Sequence, residues 1–127
     1  MTFINRLTDK EDYLPELIDK IQKSNLPLFL YGAGKYASAL YSNCLRAGGI
    51  KFDEIVVSTL PALSKNNELY FYGYQVKEFD RAVTEYSCVN VLAGLSVKQV
   101  LEKLKSNPRV KNIFFYDVTF KGYKDLM

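Results

Sequence analysis

The feature that most restricts the fold is the run Leu28-Phe29-Leu30-Tyr31-Gly32-Ala33-Gly34-Lys35-Tyr36-Ala37. Four consecutive large apolar residues suit a strand covered on both faces, since a half-exposed strand would alternate. The glycines end it at once. Beyond them Ala37, Leu40, Tyr41, Cys44 and Leu45 recur at helical spacing, and Gly48-Gly49 supplies a stop. A second strand, Phe52 to Val57 with Ile55-Val56-Val57 at its centre, closes a strand–helix–strand unit of ~30 residues from Leu28 to Ser58.

The remaining chain alternates in the same way. Ahead of the unit, Thr8-Asp9-Lys10-Glu11 reads as a capping box. Leu14, Leu17, Ile18 and Ile21 form a helical stripe that begins near Asp12, because Pro15 is tolerated only in a first turn. Ser24-Asn25-Leu26-Pro27 ends it. After a loop from Thr59 to Asn67, Leu69 to Tyr72 predicts a third strand. Phe79, Ala82, Val83 and Tyr86 predict a helix, and Val89 to Ala93 a fourth strand halted by Gly94. Ser96-Val97-Lys98-Gln99 is another capping box, with Val97, Val100, Leu101 and Leu104 as its stripe and Ser106-Asn107-Pro108 as its stop. Val110 to Tyr116 is the fifth strand, ending at Asp117, and the tail 118–127 shows no period. Alternation of this kind predicts an α/β fold: a Rossmann-like three-layer domain of about five mainly parallel strands with helices on both faces, preceded by an N-terminal helical segment. One domain is expected, with its core at 28–117.

Composition narrows the chemistry. With 48% hydrophobic and 24% charged residues in 127, the chain suits a globular domain. A net charge of +3, evenly spread, offers no nucleic-acid surface. No apolar run reaches the roughly 18 residues of a membrane span, and the N-terminus lacks a basic-then-apolar pattern, so a cytoplasmic location is expected. The absence of histidine removes the commonest acid–base and nucleophilic constellations and most zinc sites. Cys44 and Cys88 read as buried small hydrophobes. No catalytic residue and no metal-ligand spacing emerges, and the chain alone is expected to bind rather than catalyse.

Gly32 to Ala37 matches G-x-G-x-x-G/A between a strand and a helix. Gly32 permits the tight turn, Gly34 lets backbone approach a phosphate, and Ala37 lets the helix pack closely. The helix N-terminus offers free N–H groups and a positive dipole end to an anion. The candidate phosphate site is therefore Gly32, Ala33, Gly34, Lys35 and Tyr36. Ser58, Thr59, Gly94 and Ser96 join it from loops at the same sheet edge, and Asp117 ends the fifth strand there. The second strand ends in Ser58-Thr59 rather than the acidic residue that holds the ribose in NAD sites; Asp53 and Glu54 lie at the strand's other end. A P-loop is excluded, since Phe29 and Tyr36 occupy its glycine and hydroxyl positions. The same residues serve equally as a bare structural turn, with Ser96 a plain N-cap. Tyr70, Tyr72 and Tyr74 alternate and would line one face of the third strand, for packing or for stacking a base.

Leu30-Tyr31-Gly32-Ala33-Gly34-Lys35 together with Gly73 to Val76 resembles the small Rossmann-like domains of bacterial surface-polysaccharide biosynthesis proteins. These stand at the N-terminus of hexapeptide-repeat sugar O-acyltransferases, or beside glycosyltransferase or FkbM-type methyltransferase domains. The Asp-rich turn of those domains is replaced here by Ser58-Thr59-Leu60-Pro61. The resemblance implies an accessory domain, free-standing or excised from a transferase, that binds a nucleotide or nucleotide-sugar. It leaves open a homo-oligomer or a neighbouring transferase domain as partner. Two alternatives stand beside it: a degenerate scaffold or oligomerisation domain with no ligand, and an NAD(P)-dependent oxidoreductase.

Overall fold

In the computed structural model, which describes residues 13–48, 50–58, 69–94, 100–117 and 122–125, the first regular element is helix α1, Leu14–Ser24. Pro15 falls in its first turn, where no intrahelical N–H bond is lost. Leu14, Leu17, Ile18 and Ile21 form its buried stripe, as their spacing requires. Asn25, at φ 55, ends it in the left-handed region and donates its N–H to Gln22 O at 3.2 Å. The capping boxes at Thr8 and Ser96 lie outside the described residues.

Among the described residues the sheet has six strands. They are β1 (Leu28–Tyr31), β2 (Glu54–Val57), β5 (Lys77–Glu78), β6 (Val89–Ala93), β7 (Val110–Asp117) and β8 (Gly122–Asp125); β3 (Tyr70–Phe71) and β4 (Tyr74–Gln75) form a separate hairpin. The spatial order is β5-β2-β1-β6-β7-β8, with every pair parallel except β7–β8. Numbered as the chain visits them, the sheet strands run 3-2-1-4-5-6, an order consistent with a Rossmann-like fold. Helix α2 (Lys35–Gly48) links β1 to β2. Helix α3 (Phe79–Ala82), continued by a 3₁₀ turn at Val83–Glu85, links β5 to β6, and α4 (Leu101–Ser106) precedes β7.

Strand residues alternate between two core clusters. Leu28, Leu30, Ile55, Leu92, Phe114 and Tyr116 pack with the α1 stripe and with Ala37, Leu40 and Cys44 of α2. Phe29, Tyr31, Val56, Val91, Ala93 and Ile113 pack with Phe79, Ala82, Val83 and Leu104. Phe29 is fully buried and meets Phe79 and Tyr86 edge-on, at centroid distances of 6.3 and 5.0 Å. Burying each such ring contributes roughly 1.5–3 kcal/mol.

Three expectations need correction. The third strand of the sheet is not Leu69 to Tyr72 but Lys77–Glu78, whose register is Val56↔Lys77 and Val57↔Glu78. The earlier segment turns back on itself instead, because Tyr72 (φ 50) and Gly73 (φ 86) both take positive φ and make a two-residue hairpin loop between Phe71 and its partner Tyr74. Tyr70, Tyr72 and Tyr74 consequently do not line one strand face: Tyr70 and Tyr72 are exposed and Tyr74 packs against the first cluster. The tail, which shows no period in sequence, nonetheless carries a strand. Its residues Gly122–Asp125 pair antiparallel with Phe114–Asp117, and Tyr123 donates its hydroxyl to Glu16 Oε2 of α1 at 2.5 Å.

At the N-terminal ends of the strands, the fully buried Asn90 side chain completes a polar chain. Its Nδ2 donates to Ser24 Oγ at 2.5 Å and its Oδ1 accepts from Asn112 Nδ2 at 2.9 Å, while Ser24 donates to Ile21 O at 2.7 Å. Each polar atom gains a partner where an orphan would cost about 1–3 kcal/mol.

Candidate functional site

Parallel register decides which loops meet. Tyr31 pairs with Val56 on one side and Ala93 on the other, so the chain leaves β1, β2 and β6 at the same edge. Gly32, Ser58 and Gly94 stand there together, on either side of the point where strand order reverses. Open parallel sheets bind ligands at this crevice, outside the carboxyl ends of the strands. Thr59 and Ser96 lie outside the described residues. Asp117 pairs with Gly122 and so belongs to the sheet's antiparallel extension.

The turn is built from its two glycines in different ways. Gly32 holds φ +116, open to glycine but strained for any L side chain, and its N–H donates to Val56 O at 2.7 Å. A Cβ at Gly32 would rest 3.5 Å from Ala37 Cβ, an ordinary contact, so the small residue at position 37 does bring the helix close to the turn. Gly34 is exposed, and a Cβ there would meet no described atom within 4 Å. The Gly34 carbonyl accepts the first helical bond, from Ser38 N at 2.9 Å, which makes Gly34 the N-cap of α2. Lys35 and Tyr36 open the helix. Its first turn holds no acidic residue, so nothing there competes with an incoming anion for the positive end. Ala33 packs partly buried against the first core cluster and anchors the bend.

The Ser58 hydroxyl of the candidate phosphate site is already engaged. Ser58 Oγ hydrogen-bonds the Tyr31 hydroxyl, so one of its bonds closes the end of β2 onto β1. The nearest carboxylates face elsewhere. Asp53 Oδ2 accepts the Leu28 N–H at 2.8 Å at the opposite edge, as its position in the strand requires. Glu54 accepts from the Tyr86 hydroxyl at 2.7 Å and pairs with Lys77 Nζ at 3.3 Å. Burial first, then the Glu54 hydrogen bond and charge, raises the Tyr86 phenol above its ordinary value. Both acids are structural ties.

Nucleophilic and metal chemistry find no support in what is described. Cys44 is fully buried, and burial pushes its thiol up to about 12, far from the thiolate a nucleophile needs. Among the described residues no group of three or more His, Cys, Asp or Glu converges to hold a metal ion. Among them, too, no helix is long and apolar enough to cross a membrane. A cavity of about 480 Å³ lies along β5, lined by Gln75, Val76, Lys77, Glu78, Arg81 and Glu85 among others. A smaller one of about 240 Å³ sits at the opposite strand ends beside Asn25 and Asp53. Neither touches the glycine turn, whose flanking loops 59–68 and 95–99 lie outside the described residues.

Beside the first turn of α2 stands a tyrosine that the sequence marked for packing or stacking but placed on a strand face. Tyr72, at the hairpin tip, stacks on Tyr41 of α2 with centroids 4.4 Å apart and planes 17° from parallel. Its hydroxyl lies 2.5 Å from Ser38 Oγ. Hydrogen bonds from Ser38 first and Ser42 second hold the Tyr72 phenol below its ordinary value, while burial first holds Tyr41 above. The pairs Tyr70-Phe71 and Tyr74-Gln75 around an x-Gly dipeptide were the available sign of this hairpin; a tyrosine in place of the usual Asn, Asp or Gly concealed it.

In comparisons with known proteins, no family model, curated protein or solved structure matches the chain.

Proposed function

We propose that this chain is a Rossmann-like, three-layer domain that binds a nucleotide or nucleotide-sugar, with phosphate docked on the Gly32-Ala33-Gly34 turn and the first amides of α2. The observation that carries the reading is Gly34: a side-chain-free N-cap with no described atom within 4 Å of where a Cβ would stand, at the edge where Gly32 and Gly94 leave adjacent strands. The two core clusters, one holding α1 and α2 residues and the other α3 and α4 residues, support helices on both faces. A place in surface-polysaccharide biosynthesis, as a piece of or partner to a transferase, rests on the resemblance at Leu30 to Lys35 and Gly73 to Val76.

The absence of a carboxylate at the end of β2 weighs against NAD and against the oxidoreductase alternative. The engagement of Ser58 with Tyr31 favours one competing reading, a scaffold that keeps the fold without a ligand.

A thermal-shift panel of UDP-sugars, NAD(H) and NADP(H) separates the readings. A ligand at 100 times its dissociation constant adds about 2.7 kcal/mol of stability. Gly34→Val is expected to keep the fold, since its Cβ meets no described atom within 4 Å. It should weaken binding by at least about tenfold, the worth of one charge-assisted hydrogen bond to phosphate. No shift with any ligand favours the scaffold, and undiminished affinity in Gly34→Val removes the turn from the site.

A further inference from the structure

We propose that Tyr72 is the platform on which the base of a bound nucleoside diphosphate stacks, extending the site from the glycine turn to the β3–β4 hairpin. This inference rests on the phosphate-binding reading of that turn. Tyr72 occupies the first loop position of a two-residue hairpin at φ 50, a conformation that suits Asn, Asp or Gly and is uphill for a bulky ring. Strain of this kind persists where surroundings over-determine a residue, and it collects at binding sites.

The surroundings here are explicit. Tyr41 covers one face of the ring, Phe71 meets it edge-on at 4.8 Å, and the hydroxyl is held by Ser38. Even so, 53% of the residue is exposed. Packing onto Tyr41 accounts for one face of the ring, and more than half of the residue stays open to solvent. A ring already fixed on three sides offers flat apolar surface at little further entropic cost, which suits a planar base.

Position links the ring to the turn. Ser38 hydrogen-bonds Tyr72 through its side chain and Gly34 through its backbone, so the Tyr72 hydroxyl stands one helical turn from the proposed phosphate cradle. A helical turn advances about 5.4 Å, a distance that a ribose bridges between phosphate and base.

The test is calorimetric titration of the wild type, Tyr72→Asn and Tyr72→Phe with UDP, ADP and inorganic diphosphate. Asparagine suits the loop's backbone and removes the ring. Tyr72→Asn is expected to lose about 5- to 150-fold in affinity for the nucleoside diphosphate that binds, the range of one base–aromatic stack. Inorganic diphosphate affinity should not change, and Tyr72→Phe, which keeps the ring, should retain the nucleotide. The inference is overturned if Tyr72→Asn binds UDP and ADP as the wild type does, or if it loses diphosphate in equal measure. It also falls, with the turn reading intact, if the wild type binds diphosphate as tightly as either nucleotide. If the wild type binds none of the three, the turn reading fails and takes the platform with it.

Discussion

Replacing Gly32 by alanine separates backbone strain from crowding at the turn. At φ +116 the residue lies beyond even the left-handed helical region, where an L side chain costs on the order of 1–3 kcal/mol. Crowding adds little, since the new Cβ would rest at an ordinary 3.5 Å from Ala37 Cβ. Gly32 cannot relax freely either, because its N–H is committed to Val56 O at 2.7 Å. At roughly 4 °C per kcal/mol for a chain of this size, Gly32→Ala should lower the melting temperature by about 4–12 °C. Gly34→Ala, whose Cβ meets no described atom within 4 Å and which needs no positive φ, should stay within about 0.5 kcal/mol of the wild type. Calorimetric melts of both variants, and of Gly32→Ala combined with Ala37→Gly, decide the matter. Strain predicts no coupling between positions 32 and 37. A rescue of 1 kcal/mol or more, well above the roughly 0.3–0.5 kcal/mol scatter of independent sites, would refute it. So would a Gly32→Ala protein that melts with the wild type.

Two further outcomes follow from the buried groups. With Ellman's reagent at about pH 8, Cys88, which is only half-buried, should react in the native protein, and Cys44 only when the chain unfolds; equal native rates would contradict the burial of α2. Tyr86 keeps its proton in the folded state above the ordinary tyrosine value near 10 and loses it in the unfolded state, so the unfolded chain binds fewer protons there and stability falls as pH rises past about 10. Urea melts across that range should show a shallower decline for Tyr86→Phe, and an identical slope would mean that the fold does not hold the phenol's proton by burial and the Glu54 bond together.

Legibility in the sequence followed the density of apolar residues. The unit from Leu28 to Val57 was readable because every residue of β1 is buried and α2 repeats its apolar positions at helical spacing. β5 was not, since a two-residue edge strand of Lys77 and Glu78 carries no hydrophobic pattern and is defined by its pairing with β2. The same holds for β8, where Gly122–Asp125 gains its place from pairing with β7. At the site, the parts played by Gly32, Gly34 and Ala37 were readable because each rests on the lack or smallness of a side chain. Whether the Ser58 hydroxyl was spare depended on Tyr31 across the sheet, and the position of Tyr72 depended on a reversal that its own residue type disfavours. Contacts between residues distant in sequence leave no local trace.

The buried amide of Asn90 ties the two ends of the domain to one another in time as well as in space. Its partners, Ser24 and Asn112, lie 66 and 22 residues away along the chain, so neither bond can form until β6 has settled between its neighbours. Slipping α1 by a residue against the sheet would take the Ser24 hydroxyl from a fully buried amide N–H, a loss of about 1–3 kcal/mol that fixes the helix's alignment. The first helix is thus seated by the second half of the chain as well as by its own apolar stripe.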